Sequence, residues 1–548
     1  MYPASKIVKK RFCLNIILLL CISAAVVSPI YFNGIPNGND LPQHYQFAVA
    51  FKEAIADGNF YPSWSSKTNL GFGDVGIRFY PPFSYYVLAA FEAIAGNWYD
   101  GSVLTFCFWF FLSGIGVYLW TRESFSDNSS LLAAICYIVA PYHVNQLFNA
   151  FTYAEFAAAS LLPFCFLFVT RVCRYGRTTD ILLLGLSYAL LVLTHLPMTV
   201  IGSICLLAFS IVTLNKNDYF RSILRLAFSV GIGLLASSFY WIRMATELQF
   251  VRHATDEFRS VAYDFHVNFL AAFLYVSPTE YNERSLWFSD LMLLMTLCIF
   301  LPGILLVLLR WKRTEIQVVK APLATICIAI FFATPLSLPL WENFVVLQQT
   351  QFPWRWLAVI TLMGTFLMAA AHKHVVQTFY SKLRPIAILA VGLVIATTVF
   401  TATQVIKPAI YMGRQDFIKR IDALDDAKSY ECWRPIWSRE AAFENLAKAS
   451  AGNRPIKINS WNKNDRALIV AAGDPATIRI GTFYYPHWKA TSNGLPVTIE
   501  KDENGVILIP LGKEEASIQL SFQEPQYVRV ANIVSIFAWP LFLSPFVL

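Results

Sequence analysis

Apolar runs of about 18 residues or more recur along this chain, each long enough to cross roughly 30 Å of hydrocarbon as a helix. No soluble fold hides that much apolar sequence. Only 14% of the 548 residues are charged, against about 25% in soluble domains. The chain is therefore restricted to a mostly α, polytopic membrane protein. The runs and the gaps between them predict about twelve spans, near 12–31, 102–120, 130–146, 156–173, 180–195, 198–214, 222–242, 287–309, 321–340, 355–372, 385–403 and 529–547. Lys6, Lys9, Lys10 and Arg11 precede the first run as they would a signal peptide. The spans that follow favour an uncleaved first helix instead.

The net charge of +8 is distributed as a topology signal, so nucleic acid is not expected as a partner. Arg122, then Arg171, Arg174 and Arg177, then Lys216 and Arg221 fall in gaps on the side of the N-terminus. Arg310, Lys312, Arg313 and Lys320, then Lys373, Lys382 and Arg384 do the same. The positive-inside rule makes that side cytoplasmic, as for a multi-pass protein of a bacterial inner membrane. The long segments then fall on the periplasmic face: a first loop over 32–101, a mid-chain loop over 243–286, an aromatic loop over 341–354 and a region over 404–528. The apolar stretch 79–96 carries Glu92 and contains a Pro-Pro pair, so it is expected as an interfacial helix.

Residues 1–403 thus form the transmembrane domain, and 529–548 a C-terminal transmembrane helix. Between them the composition changes. Asp416, Lys419, Arg420, Asp422, Asp425 and Asp426 predict an exposed helix. Ala467–Ala472, Ala476–Tyr485, Pro496–Glu500, Val506–Pro510 and Ala516–Phe522 read as strands, with Asn493-Gly494 and Asn504-Gly505 as hairpin pairs. The expectation is an extracytoplasmic α+β region with a small β-sandwich at about 465–525. Of ten cysteines only Cys432 lies in a polar region, and no CxxC pair is present. Neither a disulfide framework nor a zinc site is predicted.

Chemistry is expected in the loops opposite the N-terminus. Asp40 stands in Asn39-Asp40-Leu41-Pro42-Gln43-His44, just beyond the first span. A carboxylate there can take a proton from a hydroxyl or hold a cation; equally, it can cap a helix over Leu41–Ala56. His44 would share a helix face with it. Gly71-Phe72-Gly73-Asp74 and Phe79-Tyr80-Pro81-Pro82 are able to shape a pocket for a sugar ring or lipid head. Arg355, in Phe352-Pro353-Trp354-Arg355, is a positive charge on the side the inside rule avoids. It reads as a phosphate ligand or as an interfacial Arg lying beside Trp354 and Trp356. Arg243, Arg252 and Arg259 are further candidates. Glu155, at the end of an apolar span, needs a reason to be there: it assists Asp40, orients an acceptor or pairs with an Arg. His143 and His195 sit at span ends where a His is more often packed than catalytic, and Trp488 reads as sandwich core.

Several of these runs resemble the first loop of a bacterial membrane family labelled as related to pyruvoyl-tetrahydropterin synthase, with its YfhO-type relatives. They are Asn39-Asp40…His44, Gly58-Asn59-Phe60-Tyr61-Pro62-Ser63-Trp64, Gly71-Phe72-Gly73 and Phe79-Tyr80-Pro81-Pro82. Pro141-Tyr142-His143…Tyr153-Ala154-Glu155…Leu162-Pro163 resembles its second loop, and Gln351-Phe352-Pro353-Trp354-Arg355 its aromatic loop. Tyr484-Tyr485-Pro486-His487-Trp488-Lys489…Asn493-Gly494 is similar to the YfhO-type C-terminus. No His cluster supports the chemistry of the soluble zinc enzyme in the label.

These families in turn resemble glycosyltransferases of the GT-C fold, which take a sugar from a polyprenyl-phosphate donor at the periplasmic membrane face. The resemblance implies Asp40 and Glu155 as catalytic carboxylates, and His44, Arg355, His143, Tyr80 and Trp354 as substrate-binding residues. The acceptor would be an envelope glycan or lipid. Asp40 would act as general base or as a carboxylate linked to magnesium or manganese, although Asn39-Asp40 departs from a paired-acid or Asp-x-Asp pattern. A lipid-linked glycan transporter and a non-catalytic envelope assembly factor are the alternatives. Transport is disfavoured because ionisable residues gather at one face rather than at mid-membrane.

Overall fold

The first apolar run folds as one helix, Pro3–Asn33, in a computed structural model that describes residues 3–214, 218–254, 264–283, 286–309, 313–379, 384–424 and 427–543. Among the described residues, seven helices are long and apolar enough to cross a membrane: Lys10–Asn33, Trp98–Arg122, Asp127–Phe148, Tyr153–Tyr175, Leu196–Thr213, Tyr219–Ala236 and Pro353–His372. Gln317–Ala333 and Pro335–Asn343 make an eighth if they count as one span bent by 81°. The bend falls at Pro335, which has no amide to continue the helical ladder.

The sequence predicts more spans than pass this test. Thr178–Val192 has 15 residues and Gln526–Ala538 has 13, both short for a bilayer. Leu286–Leu309 and Arg384–Thr401 are helices of 24 and 18 residues. The stretch 79–96 gives a 13-residue helix, Phe83–Ala95, that buries Glu92 against Lys52 at 2.6 Å. It too is short for a span.

The helix ends sort into two faces. At one, Arg11 donates to Asn128 at 2.8 Å, Arg122 pairs with Asp127 at 2.6 Å, and Arg171 reaches Asp180 at 2.7 Å and Glu123 at 3.7 Å. Basic residues from separate gaps thus meet at one end of the bundle. Lys216, Arg310, Lys312 and Lys382 lie outside the described residues. At the other end the loops converge. Ile35 and Pro36 pair antiparallel with Met412 and Tyr411, so the start of the first loop is hydrogen-bonded to the segment that follows the helices.

Beyond residue 413 the predicted exposed helix forms as Arg414–Asp422, burying only Phe417 and Ile421. Asp425 and Asp426 lie outside the described residues. Strands follow where alternation is clear: Asp465–Val470, Ala476–Phe483, Val506–Leu511 and Ala516–Phe522. They belong to two antiparallel sheets. One has the order Ala449–Ser450, Ala476–Phe483, Val506–Leu511, Glu500–Lys501; the other runs Ile456–Trp461, Asp465–Val470, Ala516–Phe522, Trp488–Ser492, Leu495–Val497. Asn493 and Gly494 both have positive φ, 51° and 80°, as a two-residue hairpin between Trp488–Ser492 and Leu495–Val497 requires. Ile456–Trp461 lacks the alternation that marks its neighbours, with mostly exposed or half-buried side chains. Pairing with Asp465–Val470 makes it a strand.

Candidate functional site

Asp40 is the residue before the helix Leu41–Ala56, but its carboxyl makes no capping bond. Its carbonyl accepts the amide of His44 at 3.0 Å, and its side chain has no hydrogen-bond partner among the described residues. Capping therefore does not account for this acid. Asp40 is exposed to solvent yet crowded by protein. Burial raises its carboxyl to about 6, against the pull of Arg355 and with the push of Glu155. Three residues far apart in sequence thus act on one another in a single place.

Close approach of two loops sets this geometry. A Cβ on Gly38 would lie 2.5 Å from the Phe151 Cβ and 2.8 Å from the Ala150 backbone, so only glycine lets the first loop lie against the turn before Glu155. Phe151 (φ 55°) and Gln351 (φ 62°) adopt left-handed backbone in the loops that present Glu155 and Arg355. Strain of this kind costs about 1–3 kcal/mol and clusters at working sites.

Glu155 is 1% exposed and both its oxygens are engaged. Arg355 Nε donates to Oε2 at 2.8 Å, while Tyr142 and Gln146 donate to Oε1. Arg355 also donates through Nη1 to the Thr350 carbonyl at 2.6 Å and lies over Phe352 and Trp354, at 4.7 and 5.7 Å from their ring centres. Its Nη2 makes no hydrogen bond among the described residues. The arrangement is a cation locked in direction by a buried acid, with one N–H edge left open.

Aromatic rings wall the site. His44 is buried among Tyr80, Tyr85, Phe151 and Tyr153, with Nδ1 2.7 Å from the Tyr85 hydroxyl and Nε2 unpartnered. Burial pushes its imidazole down to about 3, so it is neutral. Tyr80 packs on Phe47 at 4.6 Å and on Trp433 at 5.5 Å, and Asp40, Arg355 and Glu155 act on its hydroxyl. Trp354 stacks on Phe352 at 5.1 Å. His143 is not drawn in; it is 1% exposed between Phe110, Tyr137 and Phe156. His253 and Trp433, which sequence reasoning missed, stack 4.7 Å apart beside Tyr80 and within the field of Arg355. They come from separate loops, and spacing gives no sign of their meeting.

A second ionic cluster lies two residues from Tyr80. Arg78 forks between Glu247, at 2.6 and 2.8 Å, and Glu524, at 2.6 Å to each oxygen. Tyr485 and Tyr527 donate to Glu247 at 2.9 and 3.0 Å, His487 lies 3.0 Å from it, and Ser63 donates to Glu524. Arg243, read from sequence as a candidate phosphate ligand, instead sits 3.3 Å from Glu524 and over Tyr61. Arg252 pairs with Glu431 and the Ser438 carbonyl. Arg259 lies outside the described residues.

Gly73 (φ 74°) admits the Trp64 indole, which a Cβ would approach to 2.3 Å. Asp74 accepts the Gly76 amide at 2.9 Å, and Phe72 packs on Phe483 at 5.2 Å. This turn docks the β region. Trp488 is 2% exposed between Trp64 and Phe522, as a core residue.

Among the described residues no three His, Cys, Asp or Glu side chains gather as a metal site. The charged groups acting on Asp40 are a cation and an acid whose oxygens are already bonded. That set does not fit a divalent ion.

A family model described as a 6-pyruvoyl-tetrahydropterin synthase related domain, membrane protein, matches residues 77–405. An uncharacterised protein of Lactococcus lactis subsp. cremoris is 21% identical over 225 residues, 40% of this chain; the match spans 36% of that relative's length. Among solved structures, arabinofuranosyltransferase AftD from Mycobacteria is similar at 13% identity and a TM-score of 0.47, over 72% of this chain and 27% of that one. ArnT from Cupriavidus metallidurans bound to undecaprenyl phosphate overlaps at 12% identity and 0.43, over 94% and 99%. The Archaeoglobus fulgidus oligosaccharyltransferase overlaps at 14% and 0.36, over 78% and 57%.

Proposed function

The chain belongs to the 6-pyruvoyl-tetrahydropterin synthase related family of membrane proteins, and from that premise we propose that it is a membrane glycosyltransferase. It moves a sugar from a polyprenyl-phosphate-linked donor to an envelope glycan or lipid acceptor at the periplasmic face of the inner membrane. The observation that carries this reading is Asp40: a carboxylate with no structural partner among the described residues, raised to about 6 within the field of an arginine that a buried acid holds in place. The loop motifs resemble those of this family, which in turn resembles GT-C transferases, and that supports the same assignment.

In this reading Asp40 takes the proton from the acceptor hydroxyl as its oxygen attacks the anomeric carbon. The bond from that carbon to the donor phosphate breaks, and the lipid phosphate leaves with the electron pair. Arg355 meets the growing negative charge through Nη2. Glu155 is a positioning residue, since its oxygens are spent on Arg355, Tyr142 and Gln146. A base near 6 is ionised at neutral pH and still basic enough to assist. The helices Thr178–Val192, Leu286–Leu309, Arg384–Thr401 and Gln526–Ala538 complete the count of about twelve. The two antiparallel sheets then form a small sandwich on the site's face.

The test is transfer in membrane vesicles from labelled polyprenyl-phosphate sugars. Wild type transfers label to lipid or glycan, and Asp40→Asn, expressed at the same level, loses roughly 10²- to 10⁴-fold. Equal transfer by the variant removes Asp40 as the base.

A further inference from the structure

At the end of the bundle where the basic residues meet, the helices Trp98–Arg122, Tyr153–Tyr175 and Thr178–Val192 border a cavity of about 440 Å³. That is the size of a small-molecule site. Leu119, Leu167, Phe168 and Leu183 give it apolar walls. Arg122, Glu123, Arg171 and Tyr175 complete the lining. The two kinds of wall lie at different depths. Leu119 and Leu167 precede Arg122 and Arg171 by about one helical turn, in helices that are both long and apolar enough to cross a membrane and both end here. The apolar lining is therefore on the membrane side of the charged lining.

The two guanidinium groups are fixed in place without being used up. Arg122 gives Nε to Asp127 at 2.6 Å and lies 5.2 Å from the ring centres of Phe12 and Tyr118. Neither of its Nη atoms makes a hydrogen bond among the described residues. Arg171 Nε lies 2.7 Å from the buried Asp180 and Nη1 lies 3.7 Å from Glu123, while Nη2 has no partner among the described residues. Glu123, the acid of the lining, is already engaged, because Tyr175 donates to it at 2.9 Å. What the lining has left to offer is positive charge above an apolar wall.

A bilayer contains molecules of that pattern. An arginine edge matches the oxygens of a phosphate, and basic pockets between membrane helices hold anionic headgroups in this way. A soluble anion would leave the apolar walls to water, and an uncharged lipid would leave the guanidinium edges unpaired. We propose that this cavity is a binding site for an anionic glycerophospholipid, with its phosphate between Arg122 and Arg171 and the start of an acyl chain against Leu119, Leu167, Phe168 and Leu183. The site lies at the opposite end of the bundle from Asp40 and does not depend on the transfer reaction.

The test uses full-length protein in detergent, with native mass spectrometry for bound lipid and thermal unfolding followed in parallel. Phosphatidylglycerol is the probe, with phosphatidylcholine and inorganic phosphate for comparison. Wild type should hold phosphatidylglycerol roughly 10- to 100-fold more tightly than phosphatidylcholine, the worth of a hydrogen bond to a charged group. Arg122→Gln should bring phosphatidylglycerol down to the affinity of phosphatidylcholine. The Arg122–Asp127 pair is partly exposed, so losing it should leave folding intact. Arg171 is the poorer choice, because the buried Asp180 would lose its cation. Leu183→Trp keeps every charge but fills the cavity, and it should lose phosphatidylglycerol as well.

Equal binding of the two lipids by wild type overturns the proposal, as does a preference that survives both substitutions. Loss in Arg122→Gln with full retention in Leu183→Trp places the headgroup outside the cavity. Loss in Leu183→Trp with full retention in Arg122→Gln removes Arg122 as the phosphate ligand. Inorganic phosphate that raises the unfolding temperature of wild type as much as phosphatidylglycerol does, but not that of Arg122→Gln, makes this a soluble-anion site and overturns the lipid assignment. Should Arg122→Gln fail to fold, Leu183→Trp decides alone: loss of phosphatidylglycerol supports the cavity, and retention overturns it.

Discussion

The Arg78–Glu247–Glu524 cluster and the Asp40–Glu155–Arg355 cluster are made of the same residue types, two acids and an arginine, and each takes one member, Arg78 or Asp40, from the first loop. In the first, every carboxylate is claimed: Arg78, Tyr485, Tyr527 and Ser63 all donate into it, and His487 lies beside it. Burial alone would raise Glu247, but His487 and Arg78 hold its carboxyl well below the usual carboxylate range. In the second, one acid is claimed by an arginine, and the other, Asp40, goes upward instead. Saturated charge holds the β region, the first loop and the start of the last helix together. Unsaturated charge is what a reaction can use.

The largest expected effect comes from breaking the saturated cluster. Glu247→Gln takes from the buried Arg78 one of its two carboxylates, and Arg78→Ala takes the shared cation from both acids, a loss of about 3–5 kcal/mol, read as a fall in thermal unfolding temperature and in folded yield. If these variants fold as well as wild type, the cluster is not the tie described. In the open cluster the same kind of change should act on activity. Glu155→Gln keeps the side chain's shape but releases Arg355, and transfer should fall roughly 10- to 100-fold, the worth of a charge-assisted hydrogen bond, together with a loss of stability from the unpaired buried arginine. Transfer that stays at the wild-type rate in Glu155→Gln would place Arg355 outside the reaction.

The difference between the clusters was only half legible in the sequence. Asp40, Glu155 and Arg355 stood out because charge at an apolar boundary needs a reason, and each begins or ends a span. Arg78, Glu247 and Glu524 did not, because each lies outside the predicted spans and acquires meaning only from partners far away in sequence. The sheets show the same division. Ala516–Phe522 announces itself by alternation, whereas Ile456–Trp461 is a strand only because Asp465–Val470 pairs with it. Likewise Thr178–Val192 reads as apolar enough to span, but its helix stops at Val192 and the chain turns, with His195 capping the next helix.

A smaller effect follows from the direction of the Asp40 shift. Its carboxyl rises from 3.8 to about 6 on folding, so the folded state holds the proton more tightly than the unfolded chain does. This contribution to stability is present in full below the unfolded value and is lost as pH rises through about 6. Asp40→Asn, which cannot ionise, should therefore unfold at the wild-type temperature near pH 4 and slightly above it at pH 8. Because Asp40 is exposed, solvent screening keeps the gain to under about 1 kcal/mol. A variant less stable than wild type at pH 8 would mean that the carboxylate has a structural partner.

The acid limb of the pH–rate profile for sugar transfer tests the open carboxylate most directly. The account predicts half-maximal activity near pH 6 in wild type. Removing the neighbouring charges should shift that limb in opposite directions, downward in Glu155→Gln and upward in Arg355→Gln. Activity that stays level down to pH 4.5, or a limb that neither substitution moves, would contradict it.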